Sequence, residues 1–268
     1  MRALVIGRNF FHKIVLQRYL IWNFSARDLK SRYVGSMMGL FWSVIHPLVL
    51  LAAYSFVFSV VFQVRDFSRD TDNFPLFVFC GILPWLFFQE TVLRCCYSVT
   101  EQRHLLRKMV FPSEILPISV TLSNLVTHVL GVLVLLVVLG YLGLLSWTAL
   151  LLPVYMILLA IFALGLGWLM AALQVFLKDA AQLLSVALVF WFWLTPIFYS
   201  LERVPARFRP LLLVNPLTYV VEGYRSLLMF QAIPSATHLG ALCLLTLVSF
   251  LIGGWVFRAT KRDFVDVL

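Results

Sequence analysis

The chain has 268 residues, of which 62% are hydrophobic and only 12% are charged, and its mean hydropathy is +0.96. A soluble domain is roughly 45–50% apolar and about 25% charged. The composition therefore excludes a soluble globular enzyme, a disordered chain and a small disulfide-rich scaffold. One membrane span takes about 20 apolar residues, so six spans would use nearly half of the chain. We predict an all-α integral membrane protein with little room for a water-soluble domain.

Six apolar segments follow one another along the chain, and each is interpreted as a transmembrane helix. Pro47 and Pro196 lie inside the first and fifth segments, where neighbouring helices can satisfy the backbone groups that a kink frees. The third and fourth segments meet at a short turn near 143–146, which predicts a tight helical hairpin. Gly165 and Gly167, inside the fourth, are interpreted as a packing notch rather than a phosphate-binding loop. The six segments are 36–62, 74–98, 115–142, 147–176, 181–200 and 237–257.

The net charge of +9 arises from 21 Lys and Arg residues against 12 Asp and Glu residues. In a membrane protein such an excess is typical of cytoplasmic loops, so we expect no nucleic-acid partner. Most of the basic residues lie in 1–35, in 99–114, at Lys178 and after 257, which are on one side of a six-span arrangement. This distribution predicts that both termini are cytoplasmic. The charges that precede the first apolar segment also predict that no signal peptide is present.

Two further segments are only partly apolar and are not expected to span. Residues 10–33 mix aromatic and basic side chains, which predicts an amphipathic helix in the cytoplasmic membrane interface. A simple membrane anchor is the alternative for this segment. Residues 201–236 contain several prolines between short apolar runs, which predicts a pair of re-entrant or interfacial helices that face outward.

Few ionisable groups lie inside the predicted spans, and no catalytic or metal-binding motif is found. Glu90 and Arg94 are four residues apart on one helix face, so we expect them to pair; a transport role is the alternative. His46 and His128 are interpreted as structural residues. Four cysteines are expected to be small buried side chains rather than metal ligands or disulfide partners: Cys80, Cys95, Cys96 and Cys243.

Aromatic side chains are concentrated in the first and fifth predicted spans, and the fifth contains the run FWFWLTPIFY over 190–199. Flat aromatic faces suit the apolar faces of sugar rings, so a carbohydrate path is one interpretation. Packing against lipid, including the usual interfacial aromatic belt, is the other. The candidate path residues are Trp42, Tyr54, Phe58, Trp191, Trp193, Phe198 and Tyr199.

Six stretches, in order along the chain, together resemble the transmembrane subunit of type-2 ABC exporters for polysaccharides. This family moves lipid-linked O-antigen, capsule or teichoic acid. Lys178 stands where the family pattern has arginine. The stretches are RDLKSRYVGSMMGLFW (27–42) with the following His46-Pro47, GILPWLFF (81–88), LRKMVFP (106–112) with Leu116-Pro117, Lys178-Asp179, FWLTPIFY (192–199), and Asn215-Pro216 with Arg225 downstream.

The resemblance implies one transmembrane domain over 1–268, a homodimer, and two cytoplasmic ATPase subunits that hold ATP and Mg. No cofactor is then expected on this chain. It also implies that 10–33 flanks a cytoplasmic entrance, that 99–114 forms a coupling helix, and that 201–236 is an outward gate. A solvated cytoplasmic loop is the alternative for 99–114. Spans one and five would line the channel at the dimer axis.

Three groups of site residues follow from the resemblance. The entrance residues, which would attract the phosphate of a polyprenyl-linked substrate, are Arg27, Lys30, Arg32 and Tyr33. The ATPase-coupling residues are Glu101, Arg103, His104, Arg107, Lys108, Lys178 and Asp179. The outward-gate residues are Asn215, Pro216 and Arg225.

The hypothesis is a channel-forming permease subunit that exports lipid-linked polysaccharide, with O-antigen first, from the cytoplasm across a bacterial inner membrane. Capsule or teichoic acid export by the same family is an alternative, as is a small-lipid or drug exporter of the same type. A membrane enzyme that acts on a lipid-linked substrate is a more distant alternative.

Overall fold

A computed structural model describes residues 17–33, 39–57, 73–108 and 111–267. All regular structure in these ranges is helical, which confirms the all-α prediction. The first part of the predicted segment 10–33 lies outside the described residues. The α-helices are α1 (Arg18–Tyr33), α2 (Trp42–Ser55), α3 (Phe74–Glu101), α4 (Arg103–Lys108), α5 (Ile115–Tyr141), α6 (Leu152–Phe176), α7 (Ala180–Leu194), α8 (Arg209–Leu213), α9 (Pro216–Leu228), α10 (Ala236–Thr260) and α11 (Phe264–Val267).

Four of the described helices are long and apolar enough to cross a membrane: α3, α5, α6 with the 3₁₀ turn that precedes it, and α10. They coincide with the predicted spans 74–98, 115–142, 147–176 and 237–257. A helix satisfies its own backbone hydrogen bonds, which is why long apolar runs adopt this form in lipid. The predicted turn between α5 and α6 is present, and Gly143 adopts a φ of +70° in it.

The fifth predicted span is shorter as a helix than the sequence pattern indicates, and parts of the first predicted span lie outside the described residues. α7 has 15 residues; at ~1.5 Å per residue it is shorter than a hydrocarbon core of ~30 Å. α7 ends at Leu194 because Pro196 disfavours helical geometry at Thr195, whose φ of −91° and ψ of 132° are extended. Pro47 is accommodated inside α2.

The core is organised around α3, most of whose residues are buried. α5, α6 and α9 pack around it, and α2 and α7 also contact it. Phe88 of α3, Leu159 of α6 and Tyr224 of α9 belong to one large apolar cluster. α10 packs chiefly on α6 and leaves Leu244, among other apolar side chains, exposed on its outer face.

Glycines allow α6 and α10 to cross at backbone contact. A Cβ atom on Gly253 would lie 1.8 Å from the carbonyl oxygen of Gly165, and a Cβ on Gly165 would lie 2.6 Å from the backbone of Ser249. A Cβ on Gly167 would lie 2.8 Å from the Cβ of Cys95 on α3. The predicted packing notch is therefore confirmed, and it is used on both sides of α6.

The cysteine prediction is correct at three positions and wrong at one. Cys80, Cys95 and Cys96 are buried in or beside the core, whereas Cys243 is exposed on α10. Cys243 is exposed because of the helix packing. α10 buries only the narrow face that meets α6, and Cys243 lies outside that face.

Residues 201–236 form short helices, as the prolines indicate. Two 3₁₀ turns precede α8, and α9 follows after Asn215. The Asn215 Oδ1 accepts a hydrogen bond of 3.0 Å from the Leu217 backbone N–H, which caps α9. Leu217, Val220 and Tyr224 of α9 are buried in the main core.

Candidate functional site

A cavity of about 660 Å³ opens where α1, α2, α3 and α5 approach one another. One part of its wall is apolar and the other carries charged and amide side chains, so the cavity is amphipathic. Trp42, a predicted path residue, and Arg32, a predicted entrance residue, both line it. The other lining residues are His46, Pro47, Leu83, Leu86, Phe87, Gln89, Glu90, Leu93, Arg94, Asn124, Thr127, His128 and Gly131.

Charged side chains at this cavity pair between helices as well as within α1. The Arg94 Nη2 lies 2.6 Å from the Asp28 Oδ1 of α1, and the Arg32 Nη1 lies 3.0 Å from the Glu90 Oε1. The Arg32 Nη2 also lies 3.0 Å from the Asp28 Oδ2. The predicted pair of Glu90 with Arg94 is therefore wrong. α1 packs on α5 and from there brings one carboxylate and one guanidinium to the two α3 side chains.

Two polar residues of α5 complete this ionic cluster. The Asn124 Oδ1 accepts hydrogen bonds from Arg32 and, at 3.3 Å, from Arg94 Nη1. The Asn124 Nδ2 donates to the Thr91 hydroxyl at 3.0 Å. The Ser123 hydroxyl donates to Asp28 and accepts from Arg32 at 2.9 Å. Two cations, two carboxylates and these dipoles therefore bind α1, α3 and α5 together.

Asp28, Ser123 and Asn124 also belong to this cluster, and the sequence pattern did not predict them. Asp28 lies in a basic stretch, within one of the stretches that resemble the exporter family. Ser123 and Asn124 are adjacent polar residues within a long apolar helix, and that signal was available. In the described part of the chain the Arg32 Nε is buried without a hydrogen-bond partner, so the cluster retains one free donor.

The predicted entrance residues do not all lie on one surface. Arg27 and Lys30 are exposed on α1, whereas Arg32 turns inward to the ionic cluster. The side chain of Tyr33 lies outside the described residues. His46 is exposed at the cavity wall, and the His128 Nε2 lies 2.8 Å from the Tyr224 hydroxyl. His128 therefore links α5 to α9 as a structural residue.

The predicted path aromatics divide into an outer and an inner group. Trp193 is 65% exposed, and its ring centroid lies 6.0 Å from that of Phe198. Tyr54 of α2 lies 5.2 Å from Phe198, so α2 and the end of α7 meet through aromatic rings. The Tyr199 hydroxyl donates to the Trp193 carbonyl at 3.2 Å. These four residues therefore form an aromatic cluster at the end of α7; Phe58 lies outside the described residues.

Trp191 belongs to the inner group. Its ring lies 5.1 Å from that of Phe88, and its Nε1 donates to the Asn215 Oδ1 at 2.9 Å. The Asn215 Nδ2 in turn donates to the Thr195 hydroxyl at 3.0 Å. Asn215 therefore joins the end of α7 to the start of α9.

Arg225 is fully buried and holds the same region from α9. Its guanidinium donates to the carbonyls of Phe77 at 3.3 Å and Ile197 at 2.7 Å, and lies 3.1 Å from the Glu222 carboxylate. Its Cζ lies 3.4 Å from the centroid of the Phe77 ring. Burial lowers the pKa of Arg225 to about 10, while Glu222 opposes this effect, so the side chain stays charged at neutral pH.

The predicted coupling residues lie on the surface near α4. Arg103, His104 and Arg107 are exposed on α4, and Glu101 is exposed at the end of α3. The side chain of Lys108 lies outside the described residues. Leu106 of α4 is buried in a second apolar cluster. Lys178 and Asp179 are exposed in the turn between α6 and α7.

The model of the family described as ABC-2 type transporter matches residues 19–229. The chain belongs to the ABC-2 type transporter family. The matched part runs from α1 to the end of α9, so it contains the cavity, the aromatic cluster, Arg225 and α4.

This ABC-2 chain is similar to curated proteins over nearly its whole length. It is 31% identical to the O-antigen export system permease protein RfbA of Myxococcus xanthus, over 93% of this chain and 95% of the relative. It is 27% identical to the RfbA protein of Klebsiella pneumoniae, over 90% and 92%. It is 23% identical to the polysialic acid transport protein KpsM of Escherichia coli, over 88% and 91%.

Proposed function

We propose that the chain is the permease subunit of an ATP-driven polysaccharide exporter, with lipid-linked O-antigen as its substrate. The observation that carries this proposal is the match with O-antigen export permeases along almost the full length of both chains. Capsule export is the second candidate, because the polysialic acid transport protein also matches along most of its length. The lower identity of that match favours O-antigen.

The proposed arrangement has six spans with both termini in the cytoplasm of a bacterial inner membrane. Four long apolar helices supply four spans, and α2 and α7 supply the other two together with the residues that flank them. The non-helical residues after α7 include Thr195 and Ile197, which are buried. Non-helical backbone is tolerated at membrane depth where protein surrounds it. α1 would lie in the cytoplasmic interface and α9 would face outward.

We propose that the substrate carrier enters beside α1. Arg27 and Lys30 are exposed there, and their charges would attract a phosphate group from the membrane surface. The ionic cluster contains as many carboxylates as guanidinium groups, so its field on a distant phosphate is weak. We therefore assign first contact with phosphate to Arg27 and Lys30, and we assign Arg32 to the docking of α1.

The glycan would then pass along the aromatic cluster between two copies of the chain. α7 presents an exposed apolar stripe that includes Val186, Phe190 and Trp193, and their spacing of three and four residues places them on one face. A second copy of the chain is the proposed occupant opposite this stripe. Aromatic faces bind sugars weakly. Weak binding at several positions would let a long polymer keep moving, in the same way that weak binding at several sites lets ions pass through a channel.

ATP binding and hydrolysis would take place on two separate cytoplasmic subunits. The exposed charges of α4, together with Lys178 and Asp179, form a polar surface that suits a protein partner. Closure of the ATPase subunits would move α4 and, through α3 and α5, change the contact between α2 and α7. ATP and Mg would remain on the partner throughout.

The experiment that tests the function is deletion of the gene followed by complementation. We expect surface O-antigen to be lost and lipid-linked polymer to accumulate in the cytoplasm, and we expect the intact gene to reverse both effects. Loss of capsule with normal O-antigen would instead assign the chain to capsule export. Normal amounts of both polymers on the surface would contradict the proposal.

A further inference from the structure

The C-terminal end of the chain folds back against α4. We define the C-terminal clamp as residues 261–267, which follow the last long helix and include α11. The side chain of Phe264 is 1% exposed. Its ring lies 5.3 Å from that of Phe257 on α10 and 6.0 Å from that of Phe176 at the end of α6. α11 contacts both α4 and α6.

A second contact ties the clamp to the segment that follows α4. The Lys261 ammonium forms an ion pair with the Glu114 carboxylate. Glu114 directly precedes α5, and its carbonyl accepts a hydrogen bond of 3.3 Å from the Trp168 Nε1 on α6. The clamp therefore contacts the α4 region through an apolar side chain and through a charge.

α4 depends on such contacts for its position. It has six residues, and a helix this short is unstable by itself in water because nucleation is costly. Of its described side chains, only Leu106 is buried. Leu106 belongs to the same apolar cluster as Phe264, together with Val99 and Ile115 from the helices on either side.

We propose that the C-terminal clamp positions α4 for its contact with the ATPase subunit, with Phe264 and Lys261 as the positioning residues. The inference rests on the proposed function, because it takes the exposed face of α4 as the ATPase-docking surface. The clamp leaves Arg103, His104 and Arg107 exposed while it holds α4 through the apolar cluster that contains Leu106. Loss of the clamp would leave the membrane helices assembled and would weaken the binding of the ATPase.

The test titrates purified ATPase subunit onto the purified full-length permease and measures the dissociation constant and the thermal stability of the permease. Phe264→Ala should weaken ATPase binding about tenfold, the size of one coupling energy between contacting residues. Because the Phe264 side chain is buried, this variant should also unfold at a lower temperature than the wild type. Phe264→Leu should restore most of the binding. Trp255→Ala is the matched control, because Trp255 is 72% exposed on α10, and it should bind normally.

Exchange of the charges on Lys261 and Glu114 provides a second test, which does not require the Phe264→Ala variant to fold. Glu114→Lys and Lys261→Glu should each weaken ATPase binding, and the double variant should restore it. Normal binding by Phe264→Ala and by both single charge variants would overturn the clamp. The clamp would also be overturned by a second result. In that result every variant that binds the ATPase weakly also has a lower thermal stability, and the double variant does not restore binding.

The two proposals fail in different ways. Arg103→Ala with Arg107→Ala changes the exposed face of α4 and leaves the clamp intact. If this variant binds the ATPase normally, α4 is not the docking surface and the coupling part of the proposed function is wrong. If it binds the ATPase weakly while the Phe264, Lys261 and Glu114 variants bind normally, α4 is still the docking surface and only the role of the clamp is wrong.

Discussion

Replacement of Arg225 by methionine tests how α9 holds the end of α7. The side chain has no exposed surface, and its guanidinium contacts the carbonyls of Phe77 and Ile197 and the carboxylate of Glu222. Methionine fills much of the same volume but offers no donor. The change therefore leaves the buried carbonyls of Phe77 and Ile197 without this donor and the Glu222 carboxylate without its cation.

The magnitude follows from these contacts. Removal of one partner from a buried ion pair typically costs about 3–5 kcal/mol, because the remaining charge stays buried and uncompensated. Glu222 is half-buried, which gives its carboxylate partial access to water and favours the lower end of this range. For a chain of this size 1 kcal/mol corresponds to about 2–4 °C, so we expect the midpoint of thermal unfolding to fall by about 10 °C.

The assay is thermal unfolding of the purified permease in detergent, together with the amount of folded protein in the membrane. Arg209→Met is the control, since Arg209 lies in the same segment and donates to the backbone carbonyls of Val204 and Glu202 at an exposed position. Such a surface change is expected to alter stability by only about 0.5 kcal/mol. Equal unfolding midpoints for Arg225→Met and Arg209→Met would refute the reasoning.

Three further predictions address the ionic cluster, the helix crossing and the aromatic cluster. Asp28→Ala should lower the unfolding free energy by about 2 kcal/mol, because it releases two partly buried guanidinium groups; an unchanged midpoint would show that the cluster does not hold α1. Gly253→Ala should destabilise the permease by about 1–3 kcal/mol through overpacking, whereas Gly254→Ala, whose Cβ would lie 3.7 Å from the Trp168 ring, should be tolerated in the same unfolding assay. Trp193→Leu with Tyr199→Leu should reduce surface polysaccharide while the complex with the ATPase stays intact, and unchanged export would assign these side chains to lipid packing.

The sequence supports a prediction wherever the cause is local. The four long spans are helical because each is a continuous run of apolar residues. The thickness of the bilayer sets the length that each run needs, and it does so for each run separately. Pro196 disfavours helix in the residues around it, although the prediction placed the end of the fifth span at 200 rather than at Leu194. The packing role of Gly165 was predictable as well, because a small residue in an apolar helix has few other uses.

The choice of partners was not predictable, because partners are brought together by the docking of distant helices. Glu90 and Arg94 have the spacing of an ion pair, yet each pairs with a residue of α1. Cys243 has a neighbourhood as apolar as that of Cys96, yet it is exposed because of the side of α10 that meets α6.

The sequence by itself therefore determined that this is an all-α protein with long apolar helices, since hydropathy and chain length act on each segment independently. Only the tertiary structure decided which polar groups meet: Arg225 contacts Phe77, 148 positions away, and Lys261 contacts Glu114, 147 positions away. These contacts depend on the angle at which helices cross and on the rotation of each helix about its axis. Many small packing interactions determine both together, so they cannot be derived from any one segment.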